Sequence, residues 1–169
     1  MHRWLPVTVV LLLLTACAAP APAAPRIQVQ KAWARPTLAG SMGDMTPTSA
    51  MSGTTMPGMT ASEATSAAYF VIVNDGDAAD ALVGASADVA GTVELHETRV
   101  VNDVAQMAPV ARVEIPAHGR VEFKPGGYHV MLMGLTHDLM QGETLKLTLQ
   151  FEKSGAVTLD VPVQPAAPQ

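Results

Sequence analysis

The sequence predicts an all-β sandwich. Three observations lead there. Short apolar segments of strand length recur along most of the chain and are separated by turn residues. Residues 145–151 alternate strictly, with Leu145, Leu147, Leu149 and Phe151 apolar and polar residues between them. No long window carries a helical period, and many short strands between turns indicate a two-sheet sandwich.

The chain opens with a targeting segment, read as 1–16. His2 and Arg3 give a positive start, and an apolar run follows from Trp4 to Leu14. That run is too short to span a bilayer comfortably and fits the apolar core of an export signal. It ends in Leu14-Thr15-Ala16-Cys17, which resembles the lipobox of bacterial lipoproteins, where the cysteine is lipidated and becomes the new N-terminus. Residues 17–25 then read as a lipidated cysteine and a Pro/Ala spacer, lifting the domain by about 25 Å at about 3.1 Å per residue. The expected location is periplasmic or otherwise extracytoplasmic, anchored to a membrane by lipid.

The folded domain is expected over 26–163, followed by a loose tail at 164–169. Its first strand is 27–34. The second, 67–74 (AAYFVIVN), is apolar throughout and suits a central strand, ending at the turn residues Asn74-Asp75-Gly76-Asp77. Further strands are expected at 81–84, 92–98, 104–108, 120–123, 128–133, 144–152 and 157–163. Lys153-Ser154-Gly155 joins the last two as a hairpin. Between the first two strands, 37–66 has no periodicity and almost no β-branched aliphatics. It holds Met42, Met45, Met51, Met56 and Met59. A stretch this long without structure of its own is usually functional or disordered, and it is read as a mobile Met-rich insertion.

Composition excludes several functions. Net charge is −5 with no Lys/Arg cluster, so the electrostatic footprint of a nucleic-acid binder is missing. Cys17 is the only cysteine. Once lipidated it leaves no thiol for a disulfide, a nucleophile or a metal thiolate. A blue-copper electron-transfer site, which needs a thiolate, is therefore excluded. No paired carboxylates or nucleophile–base pair suggest an enzyme.

Histidine and methionine remain. His129 and Met131 lie two apart in an apolar strand, so both face one side and Val130 the other. His96 and Met107 lie in strands joined through Asn102-Asp103. If the chain turns there, the two are opposite or diagonal on one face. Two His/Met pairs give two nitrogens and two thioethers. Thioether sulfur is soft and uncharged, which favours Cu(I) over Zn, Mg or Ca. It also needs no deprotonation, unlike a thiolate. His118 in a turn and His137 beside Asp138 are read as surface residues, His137 as a candidate accessory Cu(II) contact. Met133 shares the parity of His129, Met140 is read as packing, and Glu94 and Glu97, which flank His96, as solvated surface charge, with orientation of the His96 imidazole by one of them as the alternative.

His96, ten residues, Met107, twenty-one residues, His129, one residue, Met131 is a spacing that matches the motif of the PCuAC periplasmic copper chaperones. Ala32-Trp33-Ala34-Arg35-Pro36, Ala67-Ala68-Tyr69-Phe70 and residues 126–135 (GGYHVMLMGL) resemble that family too. The resemblance spans 27–36 and 64–163. It implies a cupredoxin-like Greek-key β-sandwich holding one Cu(I) at His96, Met107, His129 and Met131, in a partly exposed site on a monomer. It further implies delivery toward the CuA centre of cytochrome c oxidase subunit II, beside a thiol-bearing Sco-type partner. A storage or tolerance protein without a dedicated acceptor is the alternative. Two departures stand out. Family members often carry Met directly after the first histidine, where this chain has Glu97. The Met-rich stretch 37–66 resembles an insertion into a short family loop. Its five thioethers either capture a second copper ion, Cu(I) or Cu(II), or feed the main site, or are incidental to a linker.

Overall fold

The computed structural model describes residues 23–37, 64–102 and 104–168. Among these residues, ten strands run in chain order: β1 (Ile27–Ala34), β2 (Thr65–Asn74), β3 (Asp80–Ala87), β4 (Ala90–Val101), β5 (Val104–Pro109), β6 (Val113–Ile115), β7 (Gly119–Phe123), β8 (Tyr128–Leu135), β9 (Thr144–Phe151) and β10 (Gly155–Pro162). They form a six-stranded sheet ordered β1-β2-β7-β8-β4-β5 and a four-stranded sheet ordered β10-β9-β3-β6. The all-β sandwich expected from the sequence is what forms, and among the described residues there is no helix. Cys17 and the five methionines between 42 and 59 lie outside the described residues.

The core lies between the sheets. Phe70 and Ile72 of β2, Leu95 of β4 and Val130 and Leu132 of β8 meet Leu82 of β3 and Leu145, Leu147 and Leu149 of β9. The strict alternation of β9 is met by a strict alternation of burial, as period two requires. β2 pairs with β1 along one edge and shares its other edge between two strands. Its first half pairs with β8 and its second half with β7, both antiparallel.

Three details differ from the sequence reading. Strand β6 (Val113–Ile115) was not expected, because three residues are too few to show a period; Val113 and Ile115 are nevertheless buried. β2 starts at Thr65, inside the stretch read as insertion, because Ser66 is buried and its hydroxyl donates to the Arg35 carbonyl at 2.6 Å. Thr37, at the other end of that stretch, is also buried, and its hydroxyl bonds Asp138 at 3.2 Å.

Two turns prepare the site. The β4–β5 hairpin closes with Val101 opposite Val104, and Asn102 takes φ 52°. Asparagine tolerates this left-handed conformation, which two-residue hairpins need. Before β8, the Gly127 N–H donates to the Lys124 carbonyl at 3.0 Å, with Gly126 at φ 79°. Proline then glycine at the two central positions is the signature of a type II turn, whose second central residue must have positive φ.

Candidate metal centre

The outer face of the six-stranded sheet, turned away from the core, carries the expected residues. Register decides which of them meet. His96 on β4 stands directly opposite His129 on β8, and Glu94 opposite Met131. On the other side of β4, Met107 of β5 stands opposite Thr98, one pleat repeat from His96. The pairing of His96 with Met107 is thus diagonal. All four side chains alternate away from Leu95, Val130 and Leu132, which fill the core.

The two imidazole centroids are 5.7 Å apart and the rings are tilted by 48°. That spacing suits two rings sharing one ion at metal–nitrogen distances of about 2.0–2.1 Å. Beside them a cavity of about 360 Å³ is lined by His129, Met131, Met107, Thr98 and Tyr69. Ala67, opposite Met131 on β2, is small enough to leave this space open. Pro36 and Thr65, near the two ends of the stretch outside the described residues, line the same cavity.

The hydrogen bonds fix which nitrogens are free. His129 is only 5% exposed. Its Nδ1 lies 3.1 Å from the Gly127 carbonyl. A carbonyl only accepts, so Nδ1 carries the proton and Nε2 is left with its lone pair. Burial lowers the His129 pKa below its ordinary 6.5; the Gly127 bond opposes this, and nearby His96 adds to it. The ring is therefore neutral at neutral pH, the form a metal requires. The Pro125-Gly126 turn supplies this arrangement, since it aims the Gly127 carbonyl at the ring.

His96 is held differently. Its Nε2 lies 2.9 Å from the Glu94 carboxylate, whereas its Nδ1 is buried without a hydrogen-bond partner. A buried ring nitrogen without a partner requires an explanation, and a soft cation fits the donor set. Of the two readings given for the glutamates that flank His96, solvated charge or a partner that orients its ring, the structure ties Glu94 to His96, two residues on along the same face. Glu97 faces the other way, opposite Tyr128, and pairs with Arg99 at 2.6 Å. The departure from the family pattern at this position thus points away from the His96 ring.

The remaining residues are not drawn in. Met133 continues β8 on the same face, opposite Thr65 and Thr92. His118 is exposed and lies 3.1 Å from Asp77, and His137 is exposed and lies 3.6 Å from Glu143. Met140, read as packing, is 46% exposed instead, because the 136–143 segment runs over the surface where the burial goes to Leu139. Among the described residues, no group of three or more His, Cys, Asp or Glu side chains is placed to hold a metal ion. A metal centre on this face therefore needs the thioethers.

Fold and site together define a small β-sandwich with a mixed imidazole–thioether face, and the comparisons with known proteins agree with the fold. Residues 27–163 match the model of the family described as "Putative lipoprotein LpqE-like". The chain is 32% identical over 167 residues to "Putative lipoprotein Lxx21020" of Leifsonia xyli subsp. xyli, covering 94% of this chain and 86% of that protein. Among solved structures, the apo PCuAC domain of PmoF2 superposes with a TM-score of 0.58 at 27% identity, covering 86% of this chain and 96% of that one. The copper-bound PCuAC domain of PmoF2 shares the fold, with a TM-score of 0.56 at 24% identity over 83% of this chain and 93% of that one. The chain belongs to the LpqE-like family, and its fold is that of a PCuAC domain.

Proposed function

We propose that this protein is an extracytoplasmic copper chaperone that carries Cu(I) on the face formed by His96, Met107, His129 and Met131. The observation that carries this reading is the pair of facing imidazoles, each with one nitrogen engaged and one free, beside two thioethers. Two nitrogens and two neutral sulfurs suit a soft monovalent cation and are a poor match for zinc or calcium. The copper-bound PCuAC domain of PmoF2 supports the same cargo.

Handover needs a ligand that an acceptor can replace. Met107 is 55% exposed and lies on the edge strand β5, whereas His129 is buried within the sheet. An incoming sulfur or nitrogen would displace Met107 first, while the ligands on β4 and β8 hold the ion. The physiological acceptor in this reading is the CuA centre of cytochrome c oxidase subunit II, with a Sco-type thiol chaperone beside it. The protein acts as a monomer tethered through lipid on Cys17, a placement supported by the lipoprotein names of its family and its relative. Met42, Met45, Met51, Met56 and Met59 would gather a second copper ion or feed the first.

Transfer kinetics test the proposal against storage without an acceptor. The Cu(I)-loaded protein should metallate a purified subunit II fragment faster than free copper does. Copper retained in the presence of that fragment would favour storage.

A further inference from the structure

We infer that Glu94 is a positioning residue that makes the two histidines bind through opposite ring nitrogens, His96 through Nδ1 and His129 through Nε2; this rests on the copper reading above. The argument starts from what each acceptor can do. An ionised carboxylate only accepts, so the 2.9 Å contact with Glu94 places a proton on His96 Nε2. That leaves the lone pair on Nδ1, which is the nitrogen found buried with no partner. At His129 the Gly127 carbonyl holds the proton on Nδ1 instead, and Nε2 is free. The two rings face each other across the β4–β8 register, yet each is fixed at the opposite end.

The difference has a local cause. Glu94 and His96 are two apart on one strand, so their side chains stand on the same face and the longer carboxylate reaches the outer nitrogen. His129 has no acidic residue two before it; Gly127 stands there, and its backbone carbonyl takes the role. A carboxylate hydrogen-bonded to a ligating imidazole fixes its tautomer and orientation and raises its basicity. Glu94 would therefore strengthen His96 as a ligand without touching the ion. It also sets a negative charge beside a site whose four donors are all neutral.

The test is nitrogen-resolved NMR on the full chain labelled with 15N-histidine, together with Cu(I) affinity measured by competition with a chelator. In the metal-free protein, His96 should show its proton on Nε2 and His129 on Nδ1. Cu(I) should shift His96 Nδ1 and His129 Nε2. Glu94→Ala should weaken Cu(I) binding by about 10- to 100-fold and let His96 sample both tautomers. Glu94→Gln, whose amide oxygen still accepts from Nε2, should recover part of the affinity and the tautomer. A His96 proton on Nδ1, a copper shift at His96 Nε2, or Glu94→Ala binding Cu(I) as tightly as the parent would each overturn the inference and leave the copper reading standing. A parent protein that does not bind Cu(I) would overturn both.

Discussion

His96 and His129 are direct cross-strand partners, one on β4 and one on β8, with ring centroids 5.7 Å apart. Thirty-odd residues of chain separate them, and a single register choice brings them face to face. A one-residue slip of β4 against β8 would send one ring into the core and bring Leu95 or Glu97 to the surface beside the other. The buried rows of Leu95, Val130 and Leu132 forbid that slip, so the hydrophobic core indirectly sets the geometry of the face that carries His96 and His129.

Position 97 tests this alternation. Glu97 is directed away from His96 and bonded to Arg99. Glu97→Met, which restores the residue often found there in the chaperone family, should leave the Cu(I) affinity of the main site unchanged in a chelator competition. A marked tightening would mean that residue 97 reaches the ion after all.

The two thioethers differ in their surroundings, and their variants should differ accordingly. Met107→Leu, at a site 55% exposed, should change unfolding free energy by no more than about 0.5 kcal/mol. The same change should halve the sulfur contribution in copper X-ray absorption and speed copper loss to a chelator. Chemical denaturation and absorption measured on one preparation separate the two effects.

Acid should destabilise the metal-free protein in two steps. His129 has a depressed pKa, chiefly through burial, so the folded state resists its protonation. Its contribution is complete above the ordinary value of 6.5 and is lost as pH falls through the lower folded value. Asp80 titrates below its ordinary 3.8: burial acts to raise it, and hydrogen bonds from the Ser154 side chain and the Lys153, Ala81 and Ser154 backbone outweigh that. Its contribution is present above 3.8 and is lost as pH falls further. Urea unfolding across pH should show both declines, and His129→Leu should remove only the upper one.

Asn74 closes the end of β2 with a fully buried amide. Its Oδ1 accepts from the Arg26 and Gly76 backbone, and its Nδ2 donates to the Ala78 and Pro116 carbonyls. Asn74→Ala strands these groups and should destabilise the protein by about 3 kcal/mol, readable as a lower urea midpoint. Asn74→Asp keeps the acceptor but sets a carboxylate oxygen against the Ala78 and Pro116 carbonyls, and should lose at least as much.

Much of this was legible in the sequence because period two carries both fold and site. The alternation of 145–151 predicted β9, and the apolar 67–74 run predicted β2. The i, i+2 spacing of His129 and Met131 placed both on one face. What could not be read was the register between strands that no short turn joins. His96 opposite His129 and Met131 opposite Glu94 follow from how β4 and β8 slide past one another, which no single segment records, whereas the Asn102-Asp103 turn already brought Met107 to the His96 side of the β4–β5 hairpin. Which of Glu94 and Glu97 orients His96, if either, stayed open for a related reason. Glu-x-His on an exposed strand reads as solvated charge until the buried, unpartnered Nδ1 shows where the ring's other side lies. The β6 strand was too short to show a period.

The most direct test of the copper face is an anaerobic Cu(I) titration of the full chain with copper X-ray absorption, set beside the His129→Ala/Met131→Ile double variant. The parent should bind Cu(I) with mixed nitrogen and sulfur ligation, and the double variant should lose that ligation while keeping its β-sandwich circular dichroism. Any binding beyond one equivalent that survives in the variant would belong to the five methionines between 42 and 59. Tight mixed-ligand binding that persists unchanged in the double variant, or no tight binding by the parent, would contradict the account.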